Sequence, residues 1–304
     1  MRIVVVAALS MLALAGLALP LGAAPGALTL EAGARLLVIA PHPDDEMLAS
    51  AGLVQRTLAG RGEVLLLFVT YGDGFAAALA GPPTAAAYLA LGQRRRAEAL
   101  HAARSLGGSS RLQVLGLGFP DGELGALVGP HAACSHPLRS RTTATSRSPY
   151  RDTAGAPYCG EALTAEIARM ARKFRPTHVA FPDVLDTHAD HSAVGRLSVV
   201  ALAPLPAAIT RLAYLIHFPG WPPDASDTEP APGSRERPLP LPNALPPRDQ
   251  PRVCLQLSDA ELDGKARALA AYRSQQALIA PLMASFVRRS ECFSVLSGAR
   301  GVRQ

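Results

Sequence analysis

Short apolar runs that stop abruptly on turn residues, each followed by a helix-forming segment, restrict this chain to few folds. Residues Arg35–Ala40 (RLLVIA) run into Pro41, and Glu63–Thr70 (EVLLLFVT) run into Tyr71-Gly72-Asp73-Gly74. Continuous apolar runs of this length suit strands buried on both faces. Between them, residues 46–60 have helical composition and stop at a glycine, which completes a β-α-β unit. The alternation continues with a long Ala/Leu/Arg helix over 84–106, a strand over 111–117, and a helix over 161–175 halted before Pro176. A fourth strand over 177–181 stops before Pro182, and a fifth covers 212–218. The fold class expected is therefore α/β: a doubly wound, mostly parallel, Rossmann-like sheet with helices on both faces. Right-handed crossovers bring the C-terminal ends of all its strands to one edge, and the functional site belongs there.

Two stretches interrupt the pattern. Residues 126–160 are rich in Ser, Thr, Arg and Pro without apolar periodicity, as in a long surface insertion able to border a site. Residues 219–251 are proline-rich with little to bury, as in a stiff, extended connector. A short strand over 252–257 follows, then a helix announced by the capping box Ser258-x-x-Glu261. Residues 33–304 are expected to form one domain carrying this insertion and connector.

Ahead of it, Arg2 precedes an apolar run over 3–19, then Pro20 and the small residues Gly22-Ala23-Ala24. That order is the order of a secretory signal peptide over 1–24, with an uncleaved membrane anchor as the alternative. A membrane association is expected only in the second case; otherwise the protein is secreted, periplasmic or held in the cell envelope. In an oxidising compartment the four cysteines, Cys134, Cys159, Cys254 and Cys292, can form two disulfides. Three pairings are open; the expected one joins Cys134 to Cys159 across the insertion and Cys254 to Cys292 near the C-terminus. Hydrophobic residues make up 49% of the chain against 18% charged, which rules out disorder for most of it. The net charge is +6, but the arginines are scattered and form no basic stripe, so nucleic acid is not an expected partner.

The chemistry concentrates in two short clusters. Pro41-His42-Pro43-Asp44-Asp45-Glu46 stands where the first strand ends and the first helix begins, and Asp186-Thr187-His188-Ala189-Asp190-His191 follows the fourth strand in the equivalent place. His42 and Asp45 can converge on one cation, with His191 supplying a third donor from across the crevice. Two imidazoles and one carboxylate, with a fourth position left open, are the donor set of a catalytic zinc, and iron(II), cobalt or manganese accept the same donors. Asp44 beside them can serve as general base. His188 stands three residues from His191, so on a helical turn both rings share a face, one for the metal and one for the substrate. Asp73 and Asp186 divide between turn chemistry and support of this site. Arg95 and Glu98 have the spacing of a surface ion pair, and the other histidines, His217 among them, are assigned to surface or core. No G-x-S-x-G elbow and no G-x-G-x-x-G loop is present, which excludes serine-hydrolase and nicotinamide or flavin chemistry.

His42-Pro43-Asp44-Asp45-Glu46 and His188-x-Asp190-His191 together resemble the PIG-L/LmbE-type family of zinc-dependent de-N-acetylases. Weaker matches are Thr70-x-Gly72-Asp73, Arg95-x-x-Glu98, residues 117–122, and Lys265 followed by Tyr272-Arg273-Ser274-Gln275. The resemblance implies that His42, Asp45 and His191 ligate zinc and that Asp44 deprotonates the metal-bound water. It implies that His188 stabilises the oxyanion and protonates the leaving amine, with Asp190 orienting His188. Arg95 and Asp121 fall where the family contacts substrate. Ala189 replaces a frequent proline, which alters backbone stiffness and no functional group. The implied function is an exported, metal-dependent amidohydrolase that takes an N-acetyl or similar N-acyl group from an amino sugar or glycoconjugate. The alternative is an envelope-associated carbohydrate-binding protein that keeps the metal scaffold without turnover.

Overall fold

The computed structural model describes residues 25–107, 110–150, 155–223, 230–246 and 250–296. The expected signal peptide over 1–24 lies outside the described residues. The elements in chain order are β1 (Gly26–Ala27), β2 (Arg35–Ala40), α1 (Asp45–Ala59), β3 (Glu63–Thr70), α2 (Ala85–Ser105), β4 (Leu112–Phe119), α3 (Gly160–Phe174), β5 (His178–Pro182), α4 (Ala189–Leu202), β6 (Thr210–Tyr214), β7 (Arg252–Gln256), α5 (Asp259–Ala270), α6 (Arg273–Ser285) and β8 (Ser290–Leu296). They build one eight-stranded sheet in the order β1-β7-β8-β6-β5-β2-β3-β4. Strands β4, β3, β2, β5 and β6 run parallel, and β8 pairs antiparallel with both β6 and β7. In chain order the parallel strands stand 3-2-1-4-5, so the winding reverses between β2 and β5.

Alternation along β2 divides the core in two. Leu36, Val38 and Ala40 pack with α1, α2 and α5 on one face, while Leu37 and Ile39 pack with α3 and α4 on the other. Helices cover both faces, as expected. Three elements depart from the sequence reading. β6 stops at Tyr214 rather than running to 218, because Ile216 and His217 leave the ladder and turn their amides to Asp186. α6 and β8 had no clear periodic signal: α6 contains Pro281 and a non-helical Ile279, and β8 interleaves polar residues with its apolar ones. The proline-rich stretch does contribute to the core, since Trp221, Leu239, Leu241 and Leu245 are all buried. Leu239 and Leu241 are buried with the exposed Pro240 between them, and Leu239 N donates to Ser290 Oγ at 3.0 Å.

Cys134 is bonded to Cys159 and Cys254 to Cys292, the second across paired positions of β7 and β8. The insertion folds against the sheet's C-terminal edge. Tyr158 Oη donates to Gly118 O at 3.0 Å and Tyr150 Oη to Asp73 Oδ2 at 2.9 Å.

A buried ion pair is inserted into the hydrogen-bond ladder of α1. Lys265 Nζ, on α5, donates to Leu48 O at 2.7 Å and to Glu291 Oε1 at 2.9 Å. The Glu291 carboxylate in turn accepts from Gly52 N at 2.9 Å and Leu53 N at 3.0 Å. A helix carbonyl and two helix amides thus bond to side chains from α5 and β8. Residue 52 is glycine because a Cβ there would come within 2.2 Å of Leu257. Removing one member of such a pair leaves an uncompensated buried charge. Lys265→Met is therefore expected to lower unfolding stability by about 3–5 kcal/mol, read from urea denaturation; a loss below about 1 kcal/mol would show that the pair is not integral to α1.

Candidate active site

The turn between β2 and α1 is held in an uncommon shape. Asp44 has φ 130, a left-handed value that costs a non-glycine residue conformational energy. It occupies the N-cap position of α1 yet makes no side-chain capping bond. The surroundings fix it instead. Asp44 N donates to Glu46 Oε2 at 3.0 Å, and Arg95 Nη2 reaches Pro43 O at 2.8 Å and Asp44 Oδ2 at 3.2 Å. Tyr272 Oη, at the start of α6, donates to Glu46 Oε1. Thr70, the last residue of β3, donates from both N and Oγ1 to Pro41 O.

This shape turns three donor atoms toward one point. His42 Nδ1 lies 3.2 Å from Asp45 Oδ2, His191 Nε2 lies 3.3 Å from Asp45 Oδ2, and His191 Nε2 lies 3.3 Å from His42 Nδ1. Tetrahedral bonds of about 2.0–2.1 Å from a zinc-like ion separate their donors by about 3.3 Å. The triangle therefore fits one face of such a site, and the donor chemistry agrees with the spacing. His42, His188 and His191 also bring nitrogens within 4.8 Å of one another, as do His42, Asp121 and Asp190 their donor atoms. The second of these groups forms around the other ring nitrogen of His42. His42 Nε2 lies 3.0 Å from Asp121 Oδ1 and 3.2 Å from Asp190 Oδ2.

Each donor imidazole thus gives its second nitrogen to a carboxylate, the arrangement that fixes ring orientation in metal sites. For His191 the acceptor is Asp186 Oδ2, 3.2 Å from Nδ1. Asp186 Oδ2 also accepts from Ile216 N at 2.9 Å and His217 N at 3.0 Å, and its Oδ1 accepts from His188 N at 2.9 Å. Asp190 is held by Gly122 N at 2.7 Å and Leu124 N at 2.9 Å, and Asp121 by Gly74 N at 2.7 Å. The backbone after β3, β4 and β6 therefore holds the acidic side chains that follow β4 and β5.

The electrostatics describe a negatively charged cage. Burial opposes charge on His191, but Asp45 and Asp186 outweigh it and raise the imidazole to about 9. Burial likewise opposes charge on His42, and Asp121, Asp190 and Asp45 raise it well above its usual value. Asp121 would be pushed up by burial, yet His42 holds it at about 2. Asp44 is raised to about 7, chiefly by burial, with Arg95 pulling the other way. Burial lifts Glu46 to about 8 against the Tyr272 hydrogen bond, and lifts Asp73 to about 6 with help from Asp121. His188 is lowered by burial and by the neighbouring His42 and His191. His217 falls to about 4, chiefly through burial. His188 Nδ1 accepts from Asp190 N at 3.3 Å, which leaves the proton of the neutral ring on Nε2.

The structure brings His42, Asp44, Asp45, His188, Asp190 and His191 together at the reversal between β2 and β5. Its contacts differ from the sequence reading at Asp190, Arg95 and His217. The Asp190 carboxylate faces His42 and two amides rather than His188, because the loop after β4 presents Gly122 N and Leu124 N to it. Arg95 is not paired with Glu98: the guanidinium is buried, 3% exposed, against Gly72 O, Pro43 O and Asp44, while Glu98 accepts from Ser274. Asp121 is buried, with Oδ1 3.0 Å from His42 Nε2 and Oδ2 accepting from Gly74 N. His217, set aside in the sequence, has its ring 4.9 Å from His191 and 5.2 Å from His188. Its signal was position: it directly follows the fifth parallel strand, at the same edge as the two motifs.

A His/Asp donor set that could hold a metal ion thus stands at the topological switch point of a doubly wound sheet. The chain belongs to the PIG-L family, described as GlcNAc-PI de-N-acetylase, whose model matches residues 37–202, just over half of the sequence. No curated protein matches it in sequence. Among solved structures, the N,N'-diacetylchitobiose deacetylase of Pyrococcus horikoshii is similar, with TM-score 0.54, 18% identity, and 87% of this chain and 84% of that one covered. The zinc-inhibited form of the teicoplanin deacetylase Orf2 superposes with TM-score 0.53 at 17% identity, over 88% of this chain and 100% of that one. The 4-carboxy-2-hydroxymuconate hydratase of Pseudomonas putida KT2440 gives TM-score 0.53 at 14% identity, over 89% and 98%. At these identities the likeness is one of fold.

Outer carboxylates of this kind typically change metal affinity by about 10–100-fold. Asp186→Asn is expected to weaken divalent-metal binding by that factor, measured by competition with a chromogenic chelator. An unchanged dissociation constant would remove Asp186 from the site's support.

Proposed function

We propose that this protein is an exported metal-dependent N-deacylase, taking an acetyl or similar acyl group from the nitrogen of an amino sugar or glycoconjugate. The observation that carries the reading is the donor triangle of His42, Asp45 and His191, with Asp44 next to Asp45 in the chain and the His188 ring 5.1 Å from that of His42 and 4.8 Å from that of His191. Membership of a family described as a de-N-acetylase supports the same reaction. The two disulfides favour export, and among the described residues no helix is long and apolar enough to cross a membrane.

His42, Asp45 and His191 would hold the metal, zinc by their chemistry, with iron(II), cobalt and manganese as the competitors. The ion, when bound, lowers the pKa of a water and polarises the amide carbonyl. The remaining work falls to side chains. Asp44 accepts the proton of the attacking water, and Arg95 keeps the carboxylate aimed by gripping it and the Pro43 carbonyl from behind. His188, neutral and with its proton on Nε2, donates to the carbonyl oxygen as negative charge develops there. As the carbon–nitrogen bond breaks, the departing nitrogen takes the proton that Asp44 removed from the water, leaving a free amine and a carboxylate. Asp121 and Asp190 act from behind His42, and Asp186 from behind His191, holding the rings in place. Arg95 and Asp121 therefore position the reacting groups; the sugar is contacted elsewhere.

The hydratase among the fold neighbours shows that the scaffold alone does not select the reaction. Release of free amine from a panel of acetylated amino sugars and chitooligosaccharides separates amide hydrolysis from hydration and from carbohydrate binding without turnover. General acid and base groups each contribute about 10²–10⁴-fold. Asp44→Asn and His188→Gln are each expected to lower kcat by a factor in that range while metal content, measured by elemental analysis, stays the same. Undiminished amine release in both variants would overturn the assignment.

A further inference from the structure

Asp73 stands in the turn after β3, outside both motifs, and is 4% exposed. Among the described residues its Oδ1 has no hydrogen-bond partner, while its Oδ2 accepts from Tyr150 Oη at 2.9 Å. Tyr150 belongs to the insertion, 77 residues further along the chain. Its ring meets that of Tyr71 edge-to-face at 4.5 Å. The pair lies against α2 at a position that only glycine fits: a Cβ on Gly92 would come within 2.0 Å of Tyr150 Oη and 3.0 Å of Asp73 Cβ. The insertion that delivers Tyr150 is closed by the bond between Cys134 and Cys159.

The pair holds the turn Gly72-Asp73-Gly74, and both ends of that turn lead to the reacting groups. Gly72 O accepts from Arg95 Nη1 at 3.0 Å, and Arg95 Nη2 grips the Pro43 carbonyl and the Asp44 carboxylate. Gly74 N donates to Asp121 Oδ2 at 2.7 Å, and Asp121 Oδ1 lies 3.0 Å from His42 Nε2. One backbone group beside Asp73 thus runs to the base and the other to a metal donor. Anchoring the side chain between them fixes both. Burial and Asp121 raise Asp73 to about 6, which leaves it mainly ionised near neutral pH, and a hydroxyl bonds to an ionised acceptor more strongly than to a neutral one. At 9% exposure Tyr150 itself does not reach a substrate, so its action runs through Asp73.

Resting on the deacylase reading above, we infer that Tyr150 is a positioning residue of the catalytic site. Its hydroxyl pins Asp73, and the turn so held sets Arg95 with Asp44 on one side and Asp121 with His42 on the other. The insertion takes part in the reaction's geometry and does more than border the site.

Three variants of the whole protein test this: Tyr150→Phe, which keeps the ring and removes the hydroxyl, Asp73→Asn, and the two combined. Zinc affinity is read by competition with a chromogenic chelator, and kcat and KM by amine release at saturating zinc. Tyr150→Phe is expected to lower zinc affinity or kcat by about tenfold, the low end for groups that support a metal ligand, with KM unchanged. The double variant should be no worse than the worse single one, because residues acting through one bond do not add. Tyr158→Phe is the control, since it removes a buried hydroxyl of the same insertion that bonds Gly118 O, and it should match the parent in zinc affinity and kcat. Unchanged zinc affinity and kcat in Tyr150→Phe overturn the inference. Losses that multiply in the double variant, a change confined to KM, or an equal loss in Tyr158→Phe overturn it too. If no substrate releases amine, zinc affinity alone decides: the expected pattern there upholds Tyr150 in its role while the deacylase reading falls.

Discussion

Two imidazoles buried among carboxylates govern the geometry of this protein's site. His42 and His191 each face Asp45 with one nitrogen and a second acidic neighbour with the other, Asp121 and Asp190 in one case and Asp186 in the other. Burying that much negative charge is unfavourable unless positive charge is brought in with it. The high pKa values of both rings express this demand, since protons answer it when nothing else does. A divalent cation within the triangle answers the same demand with a charge that the donor spacing accommodates. Every loop at the edge contributes to holding the cage: amides after β3, β4 and β6 carry Asp121, Asp190 and Asp186.

The strained Asp44 follows from the same constraint. Its φ of 130 lets the chain deliver His42, Asp44 and Asp45 from a single turn, and the cost is met by contacts from distant elements. Arg95 comes from α2 and Tyr272 from the start of α6, so the turn is rigid only in the finished fold. Behind it, Lys265 and Glu291 take over part of the hydrogen bonding of α1. The C-terminal elements, which lie beyond the family match, thus brace the helix that begins at Asp45.

The parallel strands were legible because each is a compact apolar run ended by Pro or Gly, and burial on both faces leaves no room for alternation. The two motifs were legible because their residues are neighbours in sequence and each follows such a strand. Where reading failed, partners lay far apart. Arg95 has Glu98 one turn away and Asp44 fifty-one residues away, and the distant partner wins because it is buried. His217 gave no motif, and its place in the site depends on β6 ending four residues before the expected boundary. The connector over 219–251 looked uncommitted because its prolines stand between the leucines it buries, as Pro240 does between Leu239 and Leu241.

The sequence by itself determined the fold class, the edge at which chemistry collects, and the residue types available there, because all three follow from local periodicity and strand order. Only the tertiary structure decided which nitrogen of His42 meets Asp45, that Arg95 and Asp121 turn inward, that the Asp190 carboxylate meets His42 while only its backbone amide meets His188, and that His217 stands beside both motif histidines. Most of those outcomes depend on which buried polar groups find partners on other elements, from about twenty to about 150 residues away along the chain. Burial makes an unpartnered group costly, so the assembled fold, and not the local spacing, settles each pairing.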